Sequence, residues 1–192
     1  MIEGKLRLIL GITGASGVIY GVRLLEVLGG EVETHLVISD MGAKILELEL
    51  GLTLDDLLEH ATSVYPNSDL TAPISSGSFQ VEGMIIAPCS MKTVAMVANG
   101  IAENLIARAA DVTLKEERKL ILIPRETPLG RIHLENLLKV VEAGGTILPA
   151  SPAFYHAPKT IDDLVDFVVG KVLDLFGIEH NLYRRWDLPE QG

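Results

Sequence analysis

The chain has 192 residues, 48% hydrophobic and 22% charged, with a formal net charge of −10. That length suits one domain with a substantial core, and the composition excludes the disordered and fibrous classes. The acidic balance argues against a nucleic-acid or anionic-membrane surface, and the single cysteine, Cys89, excludes an internal disulfide framework and fits a reducing cytosol.

The first segment, Lys5–Ile12, resembles the apolar part of a signal peptide, but it runs straight into a glycine loop and reads better as a strand, Leu6–Ile12. That loop, TGASG at Thr13–Gly17, opens a helix predicted over about Val18–Leu28 and stopped by Gly29-Gly30. Its glycines admit close backbone approach, and a helix N-terminus offers N–H groups and positive potential to a phosphate. A second strand, Val32–Ser39, leads to a helix over about Met41–Leu50, on which Glu47 and Glu49 face different ways. Thr53-x-x-Asp56 has the form of a capping box. From His60 to Gln80 the chain is rich in Ser, Pro and Asn, and a long loop near a ligand is expected.

Gly83–Ala87 predicts the third strand. The wider stretch Gly83–Ala102 is apolar enough to suggest a membrane span, but Pro88, Lys92 and Asn99 interrupt it, so a soluble protein is expected. Ser90-Met91-Lys92-Thr93 begins a helix predicted in one piece over Thr93–Ala110. Ser90 suits its N-cap, and two hydroxyls with a lysine suit a phosphate or the polar edge of a ring. Cys89 reads as a packing residue rather than a nucleophile.

Lys119–Ile123, the fourth strand, ends at Arg125 and Glu126 between Pro124 and Pro128. Proline restricts its own φ and the residue before it, so this charged pair is expected to be held still. Arg108, Lys115 and Lys171 each read, taken alone, as solvated charges. A helix over Ile132–Ala143, a short strand Thr146–Leu148 and a helix over Ile161–Phe176 complete the pattern, the last marked by Thr160-x-x-Asp163. Tyr155 and Lys159 match the Y-x-x-x-K pair of short-chain dehydrogenases. Pro152 and Pro158 put that pair in a loop, however, and the glycines run G-x-x-G-x-x-x-G through Gly21 rather than with dinucleotide spacing. The five histidines lack metal spacing, and no catalytic metal is expected.

Alternating strands and helices imply an α/β domain with a parallel sheet covered on both faces. Ligands in such sheets gather beyond the carboxyl ends of the strands, where the polar groups lie here. A mean hydropathy of +0.33 points to apolar surface buried between subunits, although a fully covered parallel sheet would also raise it.

TGASG, SSGSF (Ser75–Phe79), APCSMKT (Ala87–Thr93), IPRETPL (Ile123–Leu129), HLENLLK (His133–Lys139), PASPAFYH (Pro149–His156) and RRW (Arg184–Trp186) occur in this order. The ordered set resembles the UbiX/Pad1 family of flavin prenyltransferases over nearly the whole chain. The resemblance implies a single flavodoxin-like Rossmann domain, a three-layer sandwich over residues 1–192, with a tail from about residue 177 in subunit contacts or closing the site. It also implies a cytoplasmic, metal-independent enzyme that joins a dimethylallyl group from dimethylallyl phosphate to N5 and C6 of reduced FMN. The prenylated FMN would serve UbiD-type decarboxylases, and the assembly would be a dodecamer. By the same resemblance Gly14, Ala15, Ser16, Ser39, Ser90, Met91, Lys92, Thr93 and Arg125 would hold FMN. Tyr155 and Lys171 would hold the prenyl phosphate, with Arg108 and Lys115 near it. Glu126 would be the acid/base group coupled to the phosphate, Lys115 would be a further catalytic residue, and Ser16 with Glu49 would manage protons near the flavin N5.

Two departures stand out: Lys171 where many relatives have arginine, and Leu70 where some have tryptophan. The rival readings are an FMN-dependent cysteine decarboxylase of the same fold and a non-catalytic FMN carrier or regulatory subunit. Lys92, where such decarboxylases have asparagine, and PASPAFYH in place of their P-x-M-N-x-x-M-W clamp speak against the first.

Overall fold

The structure, a computed structural model, describes residues 5–186. Six strands, β1 (Arg7–Ile12), β2 (Glu33–Ile38), β3 (Ser63–Pro66), β4 (Gly83–Cys89), β5 (Lys119–Pro124) and β6 (Thr146–Ile147), form one parallel sheet in the order β3-β2-β1-β4-β5-β6. Six helices accompany them: α1 (Ile19–Leu28), α2 (Asp40–Leu50), α3 (Met91–Ala98), α4 (Leu105–Lys115), α5 (Arg131–Glu142) and α6 (Ile161–Phe176). Without the short edge strand β3, the strand order is the 2-1-3-4-5 of flavodoxin-like folds. By packing, the chain falls into two compact units, Met1–Pro149 with the whole sheet and Ala150–Gly192 with α6.

The strands lack polar alternation because both faces are covered: every residue of β4 is buried, as are five of the six in β1 and in β2. On one face Ile9, Val37, Met84, Ile86, Leu120 and Leu122 pack with residues of α3, α4 and α5. Burying each such aliphatic side chain contributes about 1.5–3 kcal/mol. On the other face α1 lies so close that a Cβ at Gly21 would stand 2.3 Å from the Ala87 carbonyl oxygen. The apolar stretch Gly83–Ala102 resolves into β4 and α3, and no helix among the described residues is long and apolar enough to cross a membrane.

Two expectations are corrected. The helix predicted over Thr93–Ala110 is two helices. α3 ends where Gly100 adopts φ 64, with Gly100 N–H donating to the Val97 carbonyl (3.3 Å) and Ile101 N–H to that of Met96 (2.9 Å). Asn104 then caps α4 by accepting from Ala107 N–H (3.0 Å). The expected loop from His60 to Gln80 contains β3, which is ordered by pairing with His35–Ile38 rather than by any alternation of its own. Thr53-x-x-Asp56 starts only a 3₁₀ helix, Asp55–His60, with the Asp56 carboxylate accepting from Thr53 N–H (2.7 Å) and Oγ1 (2.8 Å).

Candidate active site

β1 and β4 are neighbours whose following helices, α1 and α3, lie on opposite faces, so a crevice opens at their carboxyl ends. Thr13 ties the two strand ends together. Its Oγ1 donates to the Pro88 carbonyl (2.7 Å) and accepts from Ser90 N–H (2.8 Å), and the side chain is buried. The TGASG and APCSMKT loops thereby form one rigid rim.

A cavity of about 320 Å³ opens on this rim, lined by Gly14, Ser39, Ser90, Lys92 and Thr93. Ser39 caps α2 by accepting from Gly42 N–H (3.0 Å), and Ser90 caps α3 by accepting from Thr93 N–H (3.3 Å). A capping hydroxyl uses its oxygen as acceptor, so its proton stays available to an anion. The Ser90 and Thr93 hydroxyls are 3.1 Å apart; one donates to the other and one proton is left. Two helix starts, two hydroxyl donors and the Lys92 ammonium thus converge on one space, the donor set a phosphate ester requires. Gly14 permits the approach of α2, because a Cβ there would lie 2.4 Å from that of Met41.

The start of α1 differs from expectation. Its N–H groups at Gly17 and Val18 are taken by the Glu49 carboxylate (2.9 and 3.2 Å), and Ala15 N–H donates to the Thr13 carbonyl (2.9 Å). The helix starts that line the cavity are those of α2, whose first turn also carries Asp40, and α3. Glu49, at the end of α2, fastens the glycine loop from 32 residues away. On its far side the loop is held by Arg125, whose Nε donates to the Ser16 carbonyl (3.2 Å). Glu126 is exposed, and its Oε1 accepts from the adjacent Thr127 N–H (2.9 Å). Ser16 is exposed too, whereas Met91 packs into the core.

Arg108 and Lys115, expected near the prenyl phosphate, do not line this cavity. On α4, Arg108 donates through Nε to the Ser75 carbonyl (3.1 Å) and pairs with Asp111 (2.9 Å). Lys115 pairs with Glu116 beside Gly77. Both therefore border the SSGSF loop. In the second unit Tyr155 lies edge-on to Phe167 and Trp186, and Lys171 stands 3.5 Å from Asp174. Leu70 is exposed. Cys89 is fully buried, and that burial pushes its thiol pKa up, so it is a packing residue.

Asp40, one of the polar residues expected at the strand ends, also lines the cavity, as do Asn67 and Asn104, which sequence reasoning missed. Asn67 follows β3 and holds the start of α4, its carbonyl accepting from Leu105 N–H (2.8 Å) and its Oδ1 from Ile106 N–H (3.1 Å). Asn104 was legible as a cap once the break at Asn99-Gly100 was recognised. Asn67 carried no local signal. A larger cavity of about 460 Å³, lined by Glu26, Asp55, Asp56 and Glu59, is too acidic for an anionic ligand. Among the described residues, no group of three or more His, Cys, Asp or Glu could hold a metal ion.

A family model described as Flavoprotein matches residues 2–173. The flavin prenyltransferase UbiX of Methanothermobacter thermautotrophicus is 54% identical over 180 residues, covering 93% of this chain and 94% of that protein. Among solved structures, a dodecameric FMN-dependent UbiX-like decarboxylase from Escherichia coli O157:H7 matches with TM-score 0.92 and 49% identity, over 95% of this chain and 100% of that one. AnUbiX (PadA1) in complex with FMN and dimethylallyl pyrophosphate matches with TM-score 0.95 and 43% identity, over 97% and 100%. Identity at this level across nearly the full length, on a sheet whose switch point carries the motif residues, places the chain in the UbiX family of flavin prenyltransferases.

Proposed function

We propose that the protein joins a dimethylallyl group from dimethylallyl phosphate to N5 and C6 of reduced FMN, for use by a UbiD-type decarboxylase. The observation that carries this reading is the convergence of Gly14, Ser39, Ser90, Lys92 and Thr93 on one cavity at the switch point of the sheet. These residues fit FMN: Ser39, Ser90, Thr93 and Lys92 would hold its phosphate, and Arg125, Ser16 and Glu49 would act from the adjoining glycine loop, which Glu49 and Arg125 fasten. When bound, reduced FMN supplies the electron-rich ring positions that accept the prenyl group.

The chain's own residues do the rest. Tyr155 and Lys171 are the residues proposed to hold the donor phosphate, and the resemblance adds the cations Arg108 and Lys115 as donor-binding residues. Cations stabilise the charge on a departing phosphate without a metal. Glu126, or the freed phosphate, takes the proton released on ring closure, and Lys115 is a further catalytic residue. Ser16 and Glu49 handle the proton near N5. Lys171 grips as a point charge where arginine would grip in bidentate fashion, so it keeps the charge and loses the paired hydrogen bonds.

The exposed apolar residues of α5, Ile132, Leu134, Leu138 and Val141, support burial between copies in a dodecamer, with the tail from about residue 177 at a subunit contact or closing the site. The cytoplasm is the compartment proposed. Anaerobic incubation with reduced FMN and dimethylallyl phosphate, followed by mass analysis, is expected to give flavin heavier by one five-carbon unit. Unchanged flavin would refute the assignment. Glu126→Gln is expected to bind FMN normally and to lose prenylation; undiminished turnover would remove Glu126 from the mechanism.

A further inference from the structure

In the second unit, α6 carries Phe167, Gly170, Lys171 and Asp174 along one face, at helical spacing. The helix stops at Gly177, which adopts φ 70, and the chain turns back over that face. Asp174 gathers the returning segment. Its Oδ2 accepts from the Tyr183 hydroxyl (2.6 Å), and its Oδ1 accepts from Arg185 Nη2 (2.7 Å) and His180 Nε2 (3.2 Å). The His180 tautomer is set from its other side: Nδ1 accepts from Leu182 N–H (3.2 Å), so the proton sits on Nε2 and points at the carboxylate. Beneath these rings lies Gly170, where a Cβ would come within 2.6 Å of both His180 and Tyr183. An absent side chain and a carboxylate with three donors therefore fit the tail to the helix.

The fastening reaches two residues assigned to the prenyl donor. Trp186, in the same returning segment, lies edge-on to Tyr155, with ring centroids 5.2 Å apart at 89°. Lys171 Nζ is 3.5 Å from Asp174 Oδ2, longer than a good hydrogen bond, and its side chain is about half exposed (47%). Asp174 has three closer donors, so it orders the segment without sequestering the Lys171 ammonium.

We propose that Asp174, with Gly170 beneath the tail, is a positioning residue for the prenyl-donor site. By fastening residues 180–186 to α6 it sets Trp186 against Tyr155 and leaves Lys171 available to an anionic phosphate. The link to catalysis rests on the reading that Tyr155 and Lys171 hold the donor. Burial opposes ionisation of Asp174, but the hydrogen bonds from Arg185, Tyr183 and His180 outweigh it and hold the carboxyl well below the usual range. Burial and the adjacent carboxylate push the Tyr183 phenol up to about 12, so it remains a donor at neutral pH.

Trp186 is the only tryptophan, so its emission reports the tail directly. In the full-length protein without flavin, Asp174→Asn and Gly170→Ala are expected to shift Trp186 emission to the red and to increase its quenching by acrylamide. Tyr183→Phe, which removes one donor and keeps the ring, should move both in the same direction by less. Dimethylallyl phosphate should protect Trp186 from acrylamide in the wild type, and Asp174→Asn should weaken that protection on the order of tenfold, the equivalent of one charge-assisted contact. Under turnover, the KM for dimethylallyl phosphate should rise by a similar factor while kcat and FMN affinity hold. Unaltered quenching in both Asp174→Asn and Gly170→Ala would overturn the fastening. Increased quenching with unchanged donor protection would overturn the positioning role. Absence of prenyl transfer by the wild type is a separate failure, which sinks the functional reading while the quenching data still decide the tail.

Discussion

Replacing Glu49 separates the loop-fastening role seen in the structure from the proton-handling role proposed for it. Its Oε2 accepts from Gly17 N–H and Val18 N–H at 2.9 and 3.2 Å, so it caps α1, and it stands beside Ser16, the other group assigned to protons near N5. A charge-assisted hydrogen bond contributes about 1.5–3 kcal/mol where it is sheltered. Glu49 is exposed, and water replaces much of what its removal takes away. Glu49→Ala should therefore cost about 1 kcal/mol, the scale of an N-cap and helix-end charge. For a chain of this size that lowers Tm by about 2–4 °C. Glu49→Gln retains an acceptor oxygen and loses only the charge term, about 0.3–1 kcal/mol. If Glu49 also moves a proton, the glutamine variant should lose about 10²–10⁴ in the prenylation rate while binding FMN almost normally. Single-turnover anaerobic prenylation, FMN titration and thermal melts of the three proteins test this together. A glutamine variant as fast as wild type, with the alanine variant slowed only in proportion to weakened FMN binding, would show Glu49 to be a loop fastener and nothing more.

Gly14→Ala should weaken FMN binding and destabilise the fold by about 1–3 kcal/mol, because its Cβ would press on that of Met41 and displace the start of α2. Calorimetric FMN titration with a urea melt checks it, and a variant matching wild type in both would refute the close approach. His35 is buried, with Nδ1 2.9 Å from the Tyr65 hydroxyl and Nε2 3.1 Å from Glu33, and Phe79 and Arg7 close the space around it. Burial pushes its pKa below the ordinary 6.5, against the pull of Glu33. The unfolded chain therefore takes up the proton first, and this contribution to stability is complete above about pH 6.5 and lost as pH falls through the lower folded value. Urea midpoints between pH 5 and 7 should slope for wild type and flatten in His35→Gln; equal slopes would show that His35 does not titrate in this range.

Most of the sheet and several anchors of the site were legible in the sequence because they depend on neighbours along the chain. The uninterrupted run at β4 reads as a strand buried on both sides, and Ser90 and Thr160 announce helix starts because capping joins residues three apart. Ser39, Ser90, Lys92 and Thr93 could be grouped before any coordinates, since a parallel sheet brings the carboxyl ends of its strands together. The break between α3 and α4 was written in Asn99-Gly100, yet the surrounding apolar periodicity outweighed it. β3 was not legible: Ser63–Pro66 is extended because β2 supplies the hydrogen bonds, and four residues carry too little pattern. Tertiary structure alone decided that Glu49 reaches Gly17, that Asn67 holds the start of α4, and that Asp174 receives Tyr183, His180 and Arg185. Each of these polar groups could equally have faced water. Only chain segments brought together by burial of the apolar core fix which donor a carboxylate or amide meets, and that choice is non-local.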